Sequence, residues 1–332
     1  MSHRRYVYSI GLTLLATLCL IGLLPIVTAS DQWRIFRIFG FNVDVQYENG
    51  RAINLSYPRG QNAVANLLKQ MSGQPLYGID LSRWYSQSSL NRCQLHELPA
   101  DIKRLNALQV LRITGCQGLV LPTEIGQLPN LHTLDLSVNG IRSIPPSIGD
   151  LNTLHTLNLN WNRLHQLPPQ IGNLVSLQIL SLNGNQLTHL PPEIGQLQQL
   201  DTLHLNYNQL KTLPPEFGNL NQLNKLHLTK NLVRELPSSF QTLSGLTELL
   251  LAENGIHHLP AEIMHLPNLS YLNIYNNELD DLPNTMPQMT RLRELNLGCN
   301  DFLSRPPELD RLPNLVWVDV IGNPYNPALR VC

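Results

Sequence analysis

The chain has 332 residues, 14% of them charged and 6% aromatic, and a formal net charge of -1. So even a balance leaves no electrostatic footprint for nucleic acid, and five cysteines are too few to serve as a disulfide scaffold for this length. Stability must come from a buried core, for which the length is ample.

At the N-terminus, Arg4 and Arg5 precede a stretch without Asp, Glu, Lys or Arg from Tyr6 to Ser30. Its middle, Ile10 to Ile26, is almost wholly apolar, and Val27-Thr28-Ala29 supplies small residues for cleavage. Residues 1–30 therefore read as a secretory signal peptide. The alternative is an uncleaved single membrane anchor, since the stretch is long enough to span a bilayer. In both cases the rest of the chain is exported, either secreted or extracytoplasmic and membrane-associated. Leu18 stands where a lipidation motif ahead of Cys19 wants a small residue.

Residues 31–75 are expected to cap one end of the molecule. Phe41 to Val45 and Ala52 to Tyr57 alternate around an Asn49-Gly50 turn, which predicts a hairpin. Val64, Leu67, Leu68 and Met71 then fall at helical spacing. Residues 76–97 read as degenerate. Ile79 and Leu81 suggest a first coil with Trp84 near the later asparagine phase, whereas Cys93, Leu95 and Leu98 fit the main register. One distorted coil is expected between 76 and 98.

From 98 to 325 the chain repeats. Asn139, Asn162, Asn185, Asn208, Asn231, Asn254, Asn277, Asn300 and Asn323 recur every 23 residues without a slip, and Cys116 lies one period ahead. Leucines ride at fixed offsets, as in Leu200, Leu203, Leu205, Leu210 and Leu213 around Asn208. Prolines follow at Pro145, Pro168, Pro191, Pro214, Pro237, Pro260, Pro283 and Pro306. Each Leu-x-Leu predicts a short strand with its leucines inward. The asparagines predict a ladder that satisfies backbone groups at the turn, with Cys116 a small buried substitute. The prolines suit the first position of a short helical turn. One such coil cannot bury its own leucines, but a stack of them can.

The unit Leu197-Gln198-Gln199-Leu200-Asp201-Thr202-Leu203-His204-Leu205-Asn206-Tyr207-Asn208-Gln209-Leu210-Lys211-Thr212-Leu213-Pro214 resembles the typical 23-residue class of the leucine-rich-repeat family, the kind found in scaffold proteins and bacterial repeat proteins. The resemblance covers ten regular repeats, about 98–325, before a short tail at 326–332. It implies an α/β-class solenoid, a curved horseshoe with a parallel sheet on the concave face and short helical turns or loops on the convex face. It also implies a non-catalytic module whose ligand is usually another protein. A glycan or cell-envelope ligand, or a structural adhesin, is the alternative.

The register lists the residues expected to face the concave side. Trp161, His204, Tyr207, His227, Lys230, Tyr271 and Tyr275 are the candidate ligand-binding residues, with Asn158, Asn160, Asn183 and Asn206 as adaptable polar neighbours. Trp161 could instead fold down over Gly184. His204 and His227 are expected about 5 Å apart on adjacent strands, as are His132 and His155, but two imidazoles fall short of a metal site. No cofactor is implied. No nucleophile elbow, zincin, phosphate-loop or dinucleotide motif occurs, and an open sheet excludes no water, so no catalysis is expected. Cys93 and Cys116 occupy adjacent ladder positions, where a disulfide and two separate buried thiols are both open. For Cys299 and Cys332 a free thiol and a disulfide to a partner are both open.

Overall fold

The structure is a computed structural model. It describes the backbone of residues 32–38, 41–48 and 51–56, and residues 77–81, 95–259 and 261–326. The leader, the segment expected to be helical around 61–71, Trp84, Cys93, Pro260 and Cys332 lie outside the described residues.

Three-residue strands arise at the Leu-x-Leu of each coil or its aliphatic equivalents Ile79-x-Leu81, Leu111-x-Ile113, Leu272-x-Ile274 and Val318-x-Val320. In chain order they are β4 (Gly78–Asp80), β5 (Val110–Arg112), β6 (Thr133–Asp135), β7 (Thr156–Asn158), β8 (Ile179–Ser181), β9 (Thr202–His204), β10 (Lys225–His227), β11 (Glu248–Leu250), β12 (Tyr271–Asn273), β13 (Glu294–Asn296) and β14 (Trp317–Asp319). Each pairs in parallel with the next, and from β5 on the partners are one period apart, as in Leu180 against Leu203 and Leu203 against Leu226. Ahead of them run β1 (Gln32–Ile38), β2 (Phe41–Glu48) and β3 (Arg51–Ser56), which pair antiparallel, while β3 pairs parallel with β4. All fourteen form one sheet in sequence order. The sequence suggested the β2–β3 hairpin but not β1, where adjacent Ile35 and Phe36 break the strict alternation.

Gly78 faces Val110, 32 positions on, whereas Glu97 already bridges Val120 at the regular 23, so the main register is in place before β5.

The core is a column of aliphatic side chains shared between coils. In the coil of Asn185, Leu177, Leu180, Leu182, Leu187, Leu190, Ile194 and Leu197 are all buried. Each is worth about 1.5–3 kcal/mol relative to exposure, and none could be buried without the coils on either side. After the ladder the chain passes to 3-10 turns such as Pro192–Gln196 and Pro215–Asn219. The prolines at 145, 168, 191 and 214 do not open these turns, as expected, but precede them in extended conformation (φ -67 and ψ 146 at Pro145). Their carbonyls accept the first turn bond, as Pro191 does from Ile194 N–H. A second proline, Pro146, Pro169, Pro192 or Pro215, takes the opening position, where a missing N–H costs nothing.

Glycine sets the spacing of the convex side in the first half. A Cβ at Gly126, Gly149, Gly172, Gly195 or Gly218 would lie 2.1–2.5 Å from a carbonyl oxygen of the following coil. The far end is less closed. Leu315, Val318 and Val320 are only partly buried. Trp317, on the last strand, is itself 46% exposed.

Candidate functional site

The ladder residues are the fixed points from which the concave face is built. Asn185 is buried, donates from Nδ2 to the carbonyls of Leu159 and Leu182 (3.0 Å each), and accepts at Oδ1 from Leu164 N–H (3.0 Å). Asn139, Asn162, Asn208, Asn231, Asn254, Asn277, Asn300 and Asn323 all donate to the same two places, their own coil and the preceding one. Cys116 occupies the first position, fully buried, and its N–H donates to Asn139 Oδ1 (2.8 Å).

To aim each asparagine inward, the residue before it adopts a left-handed backbone. Val138, Trp161, Tyr207, Lys230, Glu253, Asn276 and Cys299 all have φ between 52° and 61°, and Gly115, Gly184 and Gly322 share the region. For residues other than glycine that conformation costs roughly 1–2 kcal/mol, and the surrounding ladder holds it. It also throws the side chain out to the rim of the sheet.

There Trp161 does fold down over Gly184, yet it stays exposed. A Cβ at Gly184 would lie 2.3–2.7 Å from the indole Cε3, Cδ2 and Cζ3. The indole thereby crosses one coil and meets Tyr207, with ring centroids 5.7 Å apart and a tilt of 40°. Trp161 is 56% and Tyr207 46% exposed. Lys230 Nζ lies 5.1 Å from the Tyr207 ring centroid, a cation–π distance, and 3.3 Å from Glu253 Oε2. The glutamate, first among the causes, and the phenol ring hold the lysine charged to higher pH than usual. Trp161, Tyr207, Lys230 and Glu253 thus make one continuous shelf.

One row inward, Asn160, Asn183 and Asn206 form a second spine. Their Oδ1 atoms accept the N–H of Asn183, Asn206 and Thr229, each one coil ahead, at 2.7–2.8 Å. No partner among the described residues engages their Nδ2 groups, which are not sealed from solvent. Asn158 differs, accepting locally from Asn160 N–H (3.1 Å).

A polar chain crosses the centre of the sheet. Ser181 Oγ and His204 Nδ1 are hydrogen-bonded at 3.1 Å, and the His204 and His227 rings are 4.8 Å apart. His227 Nε2 meets Glu248 Oε1 at 2.9 Å, and Lys225 Nζ meets Glu248 Oε2 at 3.5 Å. Burial, and then His227, push the His204 pKa down. Tyr271 and Tyr275 belong elsewhere. Tyr271 pairs with Glu248 and Glu294 across β11–β13, and Tyr275 lies against Gly298. His132 and His155 stack with centroids 5.2 Å apart, and their Nδ1 atoms lie 2.6 and 2.7 Å from the Asn130 and Thr153 carbonyl oxygens. The donor cluster His258, Asp280 and Asp281, within 4.8 Å on neighbouring coils, is exposed throughout.

Sequence reasoning found the rings and the option of Trp161 over Gly184, but did not include Glu253, Ser181, Glu248 and Lys225 among the candidate residues. The 23-residue offset that links Glu253 to Lys230, Ser181 to His204 and Glu248 to Tyr271 was the available signal, and Lys225 follows only through Glu248. Cys299 is nearly buried and disulfide-bonded rather than a free thiol on the rim, and Cys116 is disulfide-bonded too. The two cannot bond each other. Eight strand steps, about 38 Å, separate them, against a Cα limit of about 7 Å. Among the described residues no helix is long and apolar enough to cross a membrane.

The chain matches the family descriptions "Leucine-rich repeat region" over residues 100–184 and 165–251 and "Leucine rich repeat" over 244–302. No curated protein matches it. Among solved structures it resembles a leucine-rich-repeat protein of Leptospira interrogans, with 32% identity over 81% of this chain and 72% of that one and a TM-score of 0.67. It also resembles Toll in the Drosophila Toll–Spatzle complex, with 25% identity, 77% and 36% coverage and a TM-score of 0.68. A third is the ectodomain of the Arabidopsis thaliana membrane receptor kinase GASSHO1/SCHENGEN3 in complex with Casparian strip integrity factor 2, with 28% identity, 77% and 34% coverage and a TM-score of 0.57. The chain spans only about a third of either receptor. The repeat, its asparagine ladder and these matches agree, and the chain belongs to the leucine-rich-repeat family.

Proposed function

We propose that this chain is an exported, non-catalytic binding module that holds a protein partner on its concave face. The observation that carries the reading is the Trp161–Tyr207–Lys230 shelf. Large rings left half exposed on an open sheet are the composition of a recognition patch rather than of a solvated surface. The Toll and GASSHO1/SCHENGEN3 structures, each of a complex, support a protein ligand by analogy of fold. Bonded Cys116 and Cys299 support export, because such bonds persist in oxidising compartments. We assign Cys93, one 23-residue period earlier in the sequence, as the partner of Cys116.

Affinity capture from the native host tests the site. Wild type and a convex control, Glu216→Ala, should retain the same partner, and Trp161→Ala/Tyr207→Ala should lose it with an unchanged circular dichroism spectrum. Equal capture by all three would remove the concave assignment. Sequencing the mature N-terminus tests export, with a start near Ser30 or Asp31 expected.

A further inference from the structure

We infer that the segment held on this shelf is a proline-rich stretch in polyproline II conformation. The inference rests on the concave binding reading above and names the chemistry of its partner.

The first ground is hydrogen-bond polarity. Asn160, Asn183 and Asn206 have committed their Oδ1 atoms to the backbone of the next coil. What they present to a ligand is chiefly the Nδ2 donors, since one lone pair of each Oδ1 is already taken by the next coil. A proline-rich chain is the complement. Proline has no N–H, and the polyproline II helix makes no internal hydrogen bonds, so its carbonyls are free to accept.

The second ground is spacing. Asn160 and Asn206 lie two coils apart, carried by the β7–β8 and β8–β9 pairings. Two strand steps are about 9.6 Å, and one turn of polyproline II advances about 9.3 Å. A segment running across the strands therefore presents a carbonyl to each of these two amides in phase.

The third ground is the shelf beside the row. Trp161 and Tyr207 give an exposed, flattened aromatic surface, the kind on which proline rings dock in known polyproline-binding grooves. Charge agrees. Lys230 is held by Glu253 and Lys225 by Glu248, so the face suits an uncharged segment.

Titration calorimetry of the full chain with decaproline, a glycine–serine decapeptide and a chitin hexasaccharide tests this. Decaproline should bind with a Kd below about 1 mM, roughly -4 kcal/mol, and the other two should not bind. Asn206→Asp keeps the Oδ acceptor that the Thr229 N–H needs but removes the donor, and should weaken decaproline at least tenfold. Gly184→Ala should do the same by lifting the indole, with the far-UV spectrum unchanged in both variants. Preference for the hexasaccharide, absence of decaproline binding, or binding indifferent to Asn206→Asp and Gly184→Ala each overturns the inference. If decaproline fails while host partner capture still depends on Trp161 and Tyr207, the concave site stands and only its ligand class is wrong.

Discussion

Asn185 shows how much one side chain carries in this architecture. Replacing it with alanine would orphan the Leu164 N–H and deprive the Leu159 and Leu182 carbonyls of a donor. Buried unpaired polar groups cost about 1–3 kcal/mol each, so Asn185→Ala should lose about 3 kcal/mol or more, read from the urea midpoint. His204 carries a pH dependence. Ser181 on β8, His227 and Lys225 on β10 and Glu248 on β11 face it, and burial depresses its pKa. Above its ordinary value near 6.5 it is neutral whether folded or not. As pH falls through that value the unfolded chain takes the proton first, so stability declines until the depressed folded value is passed. The urea midpoint of wild type should therefore fall more between pH 7.5 and pH 5 than that of His204→Gln. An equal fall would mean that His204 titrates normally. The ladder was legible residue by residue because an asparagine at fixed phase has one structural use. The shelf was half legible. The register placed Trp161 and Tyr207 on the rim, but only the missing side chain at Gly184 explains how the indole reaches across a coil.

The individual elements divide by what encodes them. Strands β5 to β14 were readable because Leu-x-Leu or an aliphatic equivalent recurs at one phase. The hairpin β2–β3 was readable from Asn49-Gly50, whereas β1 joins the sheet through pairing with β2 rather than through a pattern of its own. The stretch after β4 looked contradictory in sequence, because the offset to the next coil changes from 32 at Gly78 to 23 at Glu97, and periodicity alone does not show such a change. The turns carry a quieter code. At Gly195 an added methyl would meet the Glu216 carbonyl oxygen at 2.2 Å, and backbone cannot retreat as a flexible side chain can. Overpacking of this kind typically costs about 1–3 kcal/mol. Gly195→Ala should therefore be destabilising although alanine favours helical turns, as a lowered thermal midpoint would show. One period after Gly218 the position holds Gln241, so this close convex seam ends midway along the chain.

At the scale of the molecule, uniform unit length makes the solenoid nearly one-dimensional, each coil held only by its neighbours. Deleting residues 231–253 joins Lys230 to Asn254 and keeps both spines in phase. Such a chain should fold, with a strand signal reduced in proportion and a slightly lower urea midpoint. Deleting 231–242 breaks the phase and should leave the remainder unable to stack, with a grossly altered circular dichroism spectrum. The ends obey different rules from the middle. One continues into antiparallel strands, while β14 ends the sheet with Trp317 half exposed. Neither arrangement follows from the repeat, which is why periodicity alone described the ends poorly.

The left-handed position ahead of each ladder asparagine has a consequence for how such a surface can change. Within this one chain the same backbone slot accepts valine, tryptophan, tyrosine, lysine, glutamate, asparagine, cysteine and glycine. The scaffold is thus almost indifferent to what it displays there, because the structural duty falls on the next residue along. Specificity can be rewritten like type in a fixed forme, one letter per coil, without renegotiating the fold.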